Sequence, residues 1–353
     1  MLRFYSSRSM RIFLAVLSVM VMSSMAFGDA TEQLLKAARS GKITATTIRR
    51  LVEAGADVNA RNEDGYTALM LLAEAWNNDE NINVKTRIES IKMLIEYGAD
   101  VNAKNNNTKS IYEGMTALMY TGMNEKSETE VVKILIKAGA DVNAKDNDGM
   151  TALMYVQKLE SVKVLIKAGA DIHAKTNSGF TVLMHFAQID DCLETVKLLI
   201  KAGANVNAID NNYDTALMYA AYTNTYSEIT KALIRAGANV NLQNTNGKTA
   251  LMMAVECEYV DEKPAFSIAN SEIANVLIKA GARVNIKDKE GKTALMYAAD
   301  GGAYHDAAVN AVELLIKAGA DVNTKDNEGR TALDYAWRND DVQELILDAM
   351  NKK

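Results

Sequence analysis

One short phrase recurs along the chain and restricts its fold more than any other feature. Thr-Ala-Leu-Met opens at Thr67, Thr116, Thr151, Thr215, Thr249 and Thr293, with Thr-Val-Leu-Met at Thr181 and Thr-Ala-Leu-Asp at Thr331. A second phrase, Ala-Gly-Ala-Asp-Val-Asn or a close variant, precedes each, with its glycine at Gly55, Gly98, Gly139, Gly169, Gly203, Gly237, Gly281 and Gly319. Glycine and the next threonine are 12 residues apart in seven of eight cases, and 18 apart between Gly98 and Thr116. From threonine to the following glycine the spacing varies from 18 to 32. A constant segment alternating with a variable one implies small supersecondary units that bury their apolar faces by stacking, with insertions confined to one edge.

Each phrase has a local physical role. Threonine before an apolar-periodic segment is a helix N-cap, its hydroxyl accepting an otherwise unpaired backbone N–H. The Leu and Met that follow belong to the buried stripe. A second helix per unit is read from runs such as Val131-Val-Lys-Ile-Leu-Ile-Lys and Val196-Lys-Leu-Leu-Ile-Lys, whose apolar residues recur at i, i+3 and i+4. Lys137, Lys167, Lys201, Arg235, Lys279 and Lys317 then suit the negative end of the helix dipole. The glycine follows where left-handed backbone ends a helix, and polar turns such as Asp146-Asn-Asp-Gly149 follow it. A single proline, Pro264, and 6% aromatic residues argue against a strand-rich fold.

These phrases resemble the ankyrin-repeat family, whose units of about 33 residues place a turn before two helices under a Thr-Pro-Leu-His-x-Ala signature. The likeness covers residues 30–353, with residues 30–60 as a first unit lacking the threonine phrase. It implies an all-α solenoid of about nine stacked helix-turn-helix units joined by short β-hairpin-like loops. The expected organisation is a signal peptide over residues 1–28 and one repeat domain over 29–353. In that domain, residues 29–66 and 331–353 are the capping repeats and 67–330 the internal ones. The signature proline is Ala here. Its histidine is Met, which should remove histidine's backbone hydrogen bonds and substitute packing. Tyr213 replaces a turn glycine and is expected to distort its hairpin.

The N-terminus reads as an export signal. Arg3, Arg8 and Arg11 flank the uncharged run Ile12 to Met25, and Ala26-Phe27-Gly28 supplies small residues at the cleavage positions. The run is short for a bilayer span of about 20 residues, so membrane contact is expected only if the segment stays uncleaved. The expected location is the periplasm or the medium. Loss of three arginines takes the net charge from −6 to −6 − 3 = −9. An acidic chain repels phosphate backbones, which excludes nucleic acid as an expected partner. Cys192 and Cys257 lie a whole repeat apart and are expected as free thiols.

No phosphate loop, paired catalytic carboxylates or nucleophile–histidine pair stands out, so neither enzyme activity nor a cofactor is expected. His173, His185 and His305 are read as framework residues and no metal site is expected. The series Tyr120, Tyr155, Tyr219, Tyr297 and Tyr335 is read as packing between repeats. The resemblance implies a monomeric, non-enzymatic protein-binding scaffold or adaptor working through its hairpin tips and concave face. A secreted effector that engages host proteins is the alternative, and an enzyme or metal protein an alternative of another class. The position before each capping threonine holds Tyr66, Met115, Met150, Phe180, Asp214, Lys248, Lys292 and Arg330. These eight are the candidate partner-binding residues. The first four would form an apolar contact stripe if exposed, and hairpin packing accounts for them equally well. Insertions at Trp76 to Lys85, Glu258 to Ala269, Asp300 to His305 and Asn105 to Tyr112 are further candidates for specificity.

Overall fold

The computed structural model describes residues 29–74, 83–123, 128–223, 227–256, 259–260, 263–264, 271–300, 305–337 and 339–351. Residues 1–28, Cys257 and most of three of the four insertions lie outside that set. The chain divides into two compact units, Met1–Asp171 and Ile172–Lys353.

In the first unit four helix pairs follow one another. They are α1 (29–39) with α2 (Ala45–Glu53), α3 (Ala68–Glu74) with α4 (Val84–Glu96), α5 (Ala117–Tyr120) with α6 (Glu128–Lys137), and α7 (Ala152–Tyr155) with α8 (Leu159–Lys167). Five more pairs make up the second unit. They are α9 (Val182–Ala187) with α10 (Leu193–Lys201), α11 (Ala216–Thr223) with α12 (Glu228–Arg235), α13 (Ala250–Val255) with α14 (Ser271–Lys279), α15 (Ala294–Asp300) with α16 (His305–Lys317), and α17 (Ala332–Tyr335) with α18 (Asp340–Asn351). First helices pack on first helices of the adjacent repeat (α3 on α5, α11 on α13), and second helices on second helices (α6 on α8, α16 on α18). One short antiparallel ribbon, β1 (Tyr259–Val260) with β2 (Lys263–Pro264), sits in an insertion. The fold is the all-α repeat solenoid expected from the phrases.

The threonine phrase builds the core. Its leucines, Leu69, Leu118, Leu153, Leu183, Leu217, Leu251 and Leu295, are all at most 1% exposed. Thr67, Thr181, Thr215 and Thr249 accept the N–H of the methionine three residues on, as N-caps should. The methionine is more than a packing residue. Its Sδ, a weak thioether acceptor, accepts the threonine N–H at 3.4–3.5 Å in four repeats, and at Thr67, Thr181 and Thr249 this closes a reciprocal cap. Met thus takes over a hydrogen bond that the sequence reading expected to be missing. In the last repeat Asp334 takes the same bond at 2.6 Å.

Repeats are also tied by asparagine. In six repeats the Asn that closes the Asp-Val-Asn phrase or its variant donates to the helix-ending glycine carbonyl of the next repeat and accepts an N–H two residues beyond it. Asn59, Asn102 and Asn143 do this in the first unit, and Asn207, Asn241 and Asn285 in the second. Asn241→Ala removes both bonds at one rung, and a loss of about 1–2 kcal/mol is expected in urea denaturation. A variant indistinguishable from wild type would show that the rung carries no net stability.

Candidate functional site

The hairpin between the helix-ending glycine and the capping threonine is held by one polar side chain. In six repeats an Asp or Asn opens the turn, and its Oδ1 accepts the N–H groups two and four residues later. Asp146 binds Asp148 and Met150, Asp210 binds Asn212 and Asp214, Asn244 binds Asn246 and Lys248, Asp288 binds Glu290 and Lys292, and Asp326 binds Glu328 and Arg330. Asn62 does the same for Asp64 and Tyr66, while Thr176 Oγ1 binds the Phe180 N–H. The turn-opening N–H in turn donates to the carbonyl of the candidate contact residue in all eight hairpins, from Asn62 to Tyr66 through Asp326 to Arg330. Backbone at these positions is therefore locked, and only the side chain differs between repeats.

The tyrosine series completes this frame. Tyr155, Tyr219, Tyr297 and Tyr335 donate their hydroxyls to Oδ2 of Asp146, Asp210, Asp288 and Asp326, each nine residues earlier. Tyr120 accepts from Asn105 Nδ2 at 3.0 Å. These rings are framework, as the sequence reading held. That reading missed the pairing itself, though the signal was present. In the hairpins of constant length, where the residue nine before is not Asp the tyrosine slot holds another residue: Asn62 with Leu71, Thr176 with His185, and Asn244 with Met253. Asp326 shows the electrostatic consequence. Burial by itself would raise its carboxyl, but donation from the Tyr335 hydroxyl, the Arg330 N–H and guanidinium and the Glu328 N–H outweighs it, holding the group below its usual range.

The candidate contact stripe is corrected at two of its four apolar residues, where the other reading, hairpin packing, holds. Tyr66 is 8% exposed and Met115 fully buried. Tyr66 packs on Tyr120 of the next repeat, with centroids 5.0 Å apart, and Met115 enters the core beside the extended hairpin. Neither can meet a partner without moving the frame. Met150, Phe180, Asp214, Lys248, Lys292 and Arg330 remain partly exposed. Phe180 lies edge-on to Tyr219 at 5.0 Å. Farther along the second unit the change to basic residues makes a column of alternating cations and rings. Lys248 lies over Tyr297, Lys292 over both Tyr297 and Tyr335, and Arg330 over Tyr335, at 4.8–5.6 Å. Carboxylates pair with each cation: Glu256, Glu290, and Asp326 with Glu328.

Large apolar side chains reach solvent elsewhere on the hairpins. Tyr213, 55% exposed, adopts φ 64°, and among the described residues it is the one non-glycine residue with positive φ. Its hairpin is not distorted. The Tyr213 N–H donates to Asp210 O at 3.1 Å, as the Gly149 N–H does to Asp146 O. The backbone instead carries the strain of a side chain in the left-handed region. Beside it Ile209 is 40% exposed, where other hairpins place Arg61, Lys104, Lys145, Lys175, Gln243, Lys287 or Lys325. In the first unit the extended hairpin closes through Asn105 N–H to Met115 O and Gly114 N–H to Asn105 O, so the insertion bulges outward and leaves Ile111 83% exposed.

A family model for ankyrin repeats (three copies) matches residues 81–176, 156–244, 183–262 and 265–353. The chain belongs to the ankyrin-repeat family. A search of the curated proteins finds no match. Ankyrin repeats generally mediate protein–protein interaction and are typically non-enzymatic scaffolds. The titratable groups that could suggest other chemistry in this ankyrin chain are buried or separated. Burial lowers His185 to about 4 and raises the free, buried Cys192 thiol to about 11. His173 sits exposed in a hairpin and His305 opens α16. Among the described residues no three His, Cys, Asp or Glu side chains converge as metal ligands, and no helix is long and apolar enough to cross a membrane.

Proposed function

We propose that this chain is an exported ankyrin-repeat scaffold that holds a protein partner through exposed hairpin side chains, with Tyr213 and Ile209 as the apolar anchor. The observation that carries this reading is Tyr213 itself. A tyrosine 55% exposed at φ 64° costs the hairpin conformational energy and has no core to fill. A rigid aromatic on a locked backbone is the kind of residue that dominates interface energies. Phe180, Asp214 and Lys248, partly exposed on the second unit, would supply the surrounding contacts. The basic flank and apolar run before residue 29 support export, with action in the periplasm or outside the cell.

Tyr213→Gly separates binding from folding. Glycine relieves the left-handed strain and adds freedom to the unfolded chain, so stability is expected to change by less than about 1 kcal/mol. Partner capture from the exported fraction, with the purified protein as bait, is expected to drop at least tenfold, about 1.4 kcal/mol or more. Undiminished capture by the glycine variant would remove this hairpin from the interface. The sequence of the mature N-terminus checks export: an intact residue 1–28 segment would count against it.

A further inference from the structure

The hairpin that carries Asp214 departs from the charge pattern of the repeats after it. At the corresponding position the next three repeats place Lys248, Lys292 and Arg330, which cover the faces of Tyr297 and Tyr335. Asp214 is the one acid in the series of eight. Neither Tyr297 nor Tyr335 lacks a cation, whereas Tyr219, in the same repeat as Asp214, has Phe180 edge-on and no cation of the described chain over its ring.

Asp214 and Tyr219 line a cavity of about 250 Å³ together with Met218, Tyr222, Met253, Glu256 and one cation, Lys248. Two aromatic rings and two thioethers make most of its wall apolar. The charges in it do not balance. Glu256 is engaged by Lys248 at 2.5 Å, and the Lys248 ammonium also lies over Tyr297. Asp214 accepts one side-chain hydrogen bond, from Asn244 Nδ2 at 2.8 Å, and no Lys, Arg or His nitrogen of the described chain lies within ion-pair distance. Burial and the nearby Asp210 charge raise its carboxyl against that hydrogen bond and the more distant Lys248 charge. A half-buried carboxylate without a cation, beside a ring face without a cation, is a site of unmet charge in a low-dielectric wall.

We propose that this pocket receives the basic side chain of a lysine or arginine from the protein partner. Asp214 is the counter-charge, the Tyr219 ring lies against the cationic head, and Met253 and Tyr222 run along its alkyl stem. Insertion of that side chain would continue the cation–ring column of Lys248, Tyr297, Lys292, Tyr335 and Arg330 by one more cation. Such heads gain from a carboxylate and an aromatic face together, and the long aliphatic stem matches the thioether wall. The assignment of the cation to a partner protein rests on the binding function proposed above.

Methyl NMR of the full chain with ¹³C-methyl-methionine tests it. The probes are N-acetyl-lysine-N-methylamide, its norleucine counterpart, and n-butylammonium. Met253→Leu assigns the reporter signal. The lysine probe is expected to shift the Met253 methyl saturably while methionine signals remote from the pocket stay fixed. The norleucine probe should leave it in place, and Asp214→Asn should weaken lysine binding by about tenfold or more without moving the remote signals. An equal response to norleucine, an unaltered lysine response in Asp214→Asn, or no shift at any probe concentration overturns the proposal. A response to n-butylammonium without one to the capped lysine also overturns it, because the source would then be a free amine. If Tyr213→Gly leaves capture intact while the lysine probe still binds, the anchor hairpin fails and the pocket stands; loss of capture with a silent pocket is the reverse result.

Discussion

Gly122→Ala is expected to destabilise the first unit by about 3 kcal/mol or more. Gly122 lies in the 3₁₀ turn Thr121–Met123 that follows α5. A Cβ there would stand 2.1 Å from the Tyr155 carbonyl oxygen, 2.4 Å from its carbon and 2.9 Å from the Val156 nitrogen. All three are backbone atoms at the end of α7 in the next repeat, so no side-chain rotation makes room. The two repeats must separate, and each exposes core packed at 0–1%, including Leu118, Met119 and Leu153. Gly139→Ala is the control. It has φ +92° and nothing within 4 Å of the added carbon, so its cost is the left-handed strain of roughly 1 kcal/mol. A repeat array need not unfold in one step, so hydrogen exchange of the α5–α8 amides is the better measure. Equal loss of protection in the two variants would show that the close approach of Gly122 is not tight.

The second large effect concerns acid. Burial lowers the His185 imidazole to about 4, against about 6.5 in an unfolded chain. Its surroundings are apolar, with Phe186 at 5.1 Å and Phe180 at 6.4 Å, both edge-on. Between the two values the unfolded state binds a proton that the folded state does not. Stability therefore falls as pH drops from about 6.5 to about 4 and this contribution is flat below that, the direction expected of a half-buried histidine held neutral by the fold. The loss between pH 7 and pH 5 is about 2 kcal/mol as an order of magnitude. Four repeats show how to remove it, since each couples a tyrosine in this slot to an aspartate nine residues before. His185→Tyr with Thr176→Asp should lose the slope between pH 7 and 5 in urea midpoints. If the double variant keeps the full wild-type slope, the acid sensitivity belongs to other groups.

The same two residues show what is legible in the amino-acid sequence. His185 and Thr176 break together a rule that Tyr155, Tyr219, Tyr297 and Tyr335 keep, and the rule is visible by aligning the chain with itself. The repeat frame was legible for the same reason. An N-capping threonine, a leucine two residues after it and a left-handed glycine act over a few residues, and recurrence exposes the pattern through local departures. Tyr213 is the instructive exception. It was recognisable as a missing glycine, yet the expected distortion did not follow, because two side-chain bonds from Asp210 and the turn hydrogen bond hold the backbone whatever side chain it carries.

Exposure was not legible. Tyr66, Met115, Met150 and Phe180 share one place in the repeat, and only the neighbouring repeat decides which of them is covered. Tyr66 meets the Tyr120 ring and is buried, and Phe180 meets the Tyr219 ring edge-on and stays partly open. The unpaired charge of Asp214 is likewise a property of its surroundings, since Lys248 is turned to Glu256 and Tyr297. The amino-acid sequence by itself determined the unit, its helices and its turns, because those rest on hydrogen bonds and φ preferences within a dozen residues. The tertiary structure alone decided which hairpin side chains face solvent and which charge lacks a partner, because burial is set by atoms that arrive from the next repeat and Lys248 is shared between Glu256 of its own repeat and the Tyr297 ring of the next.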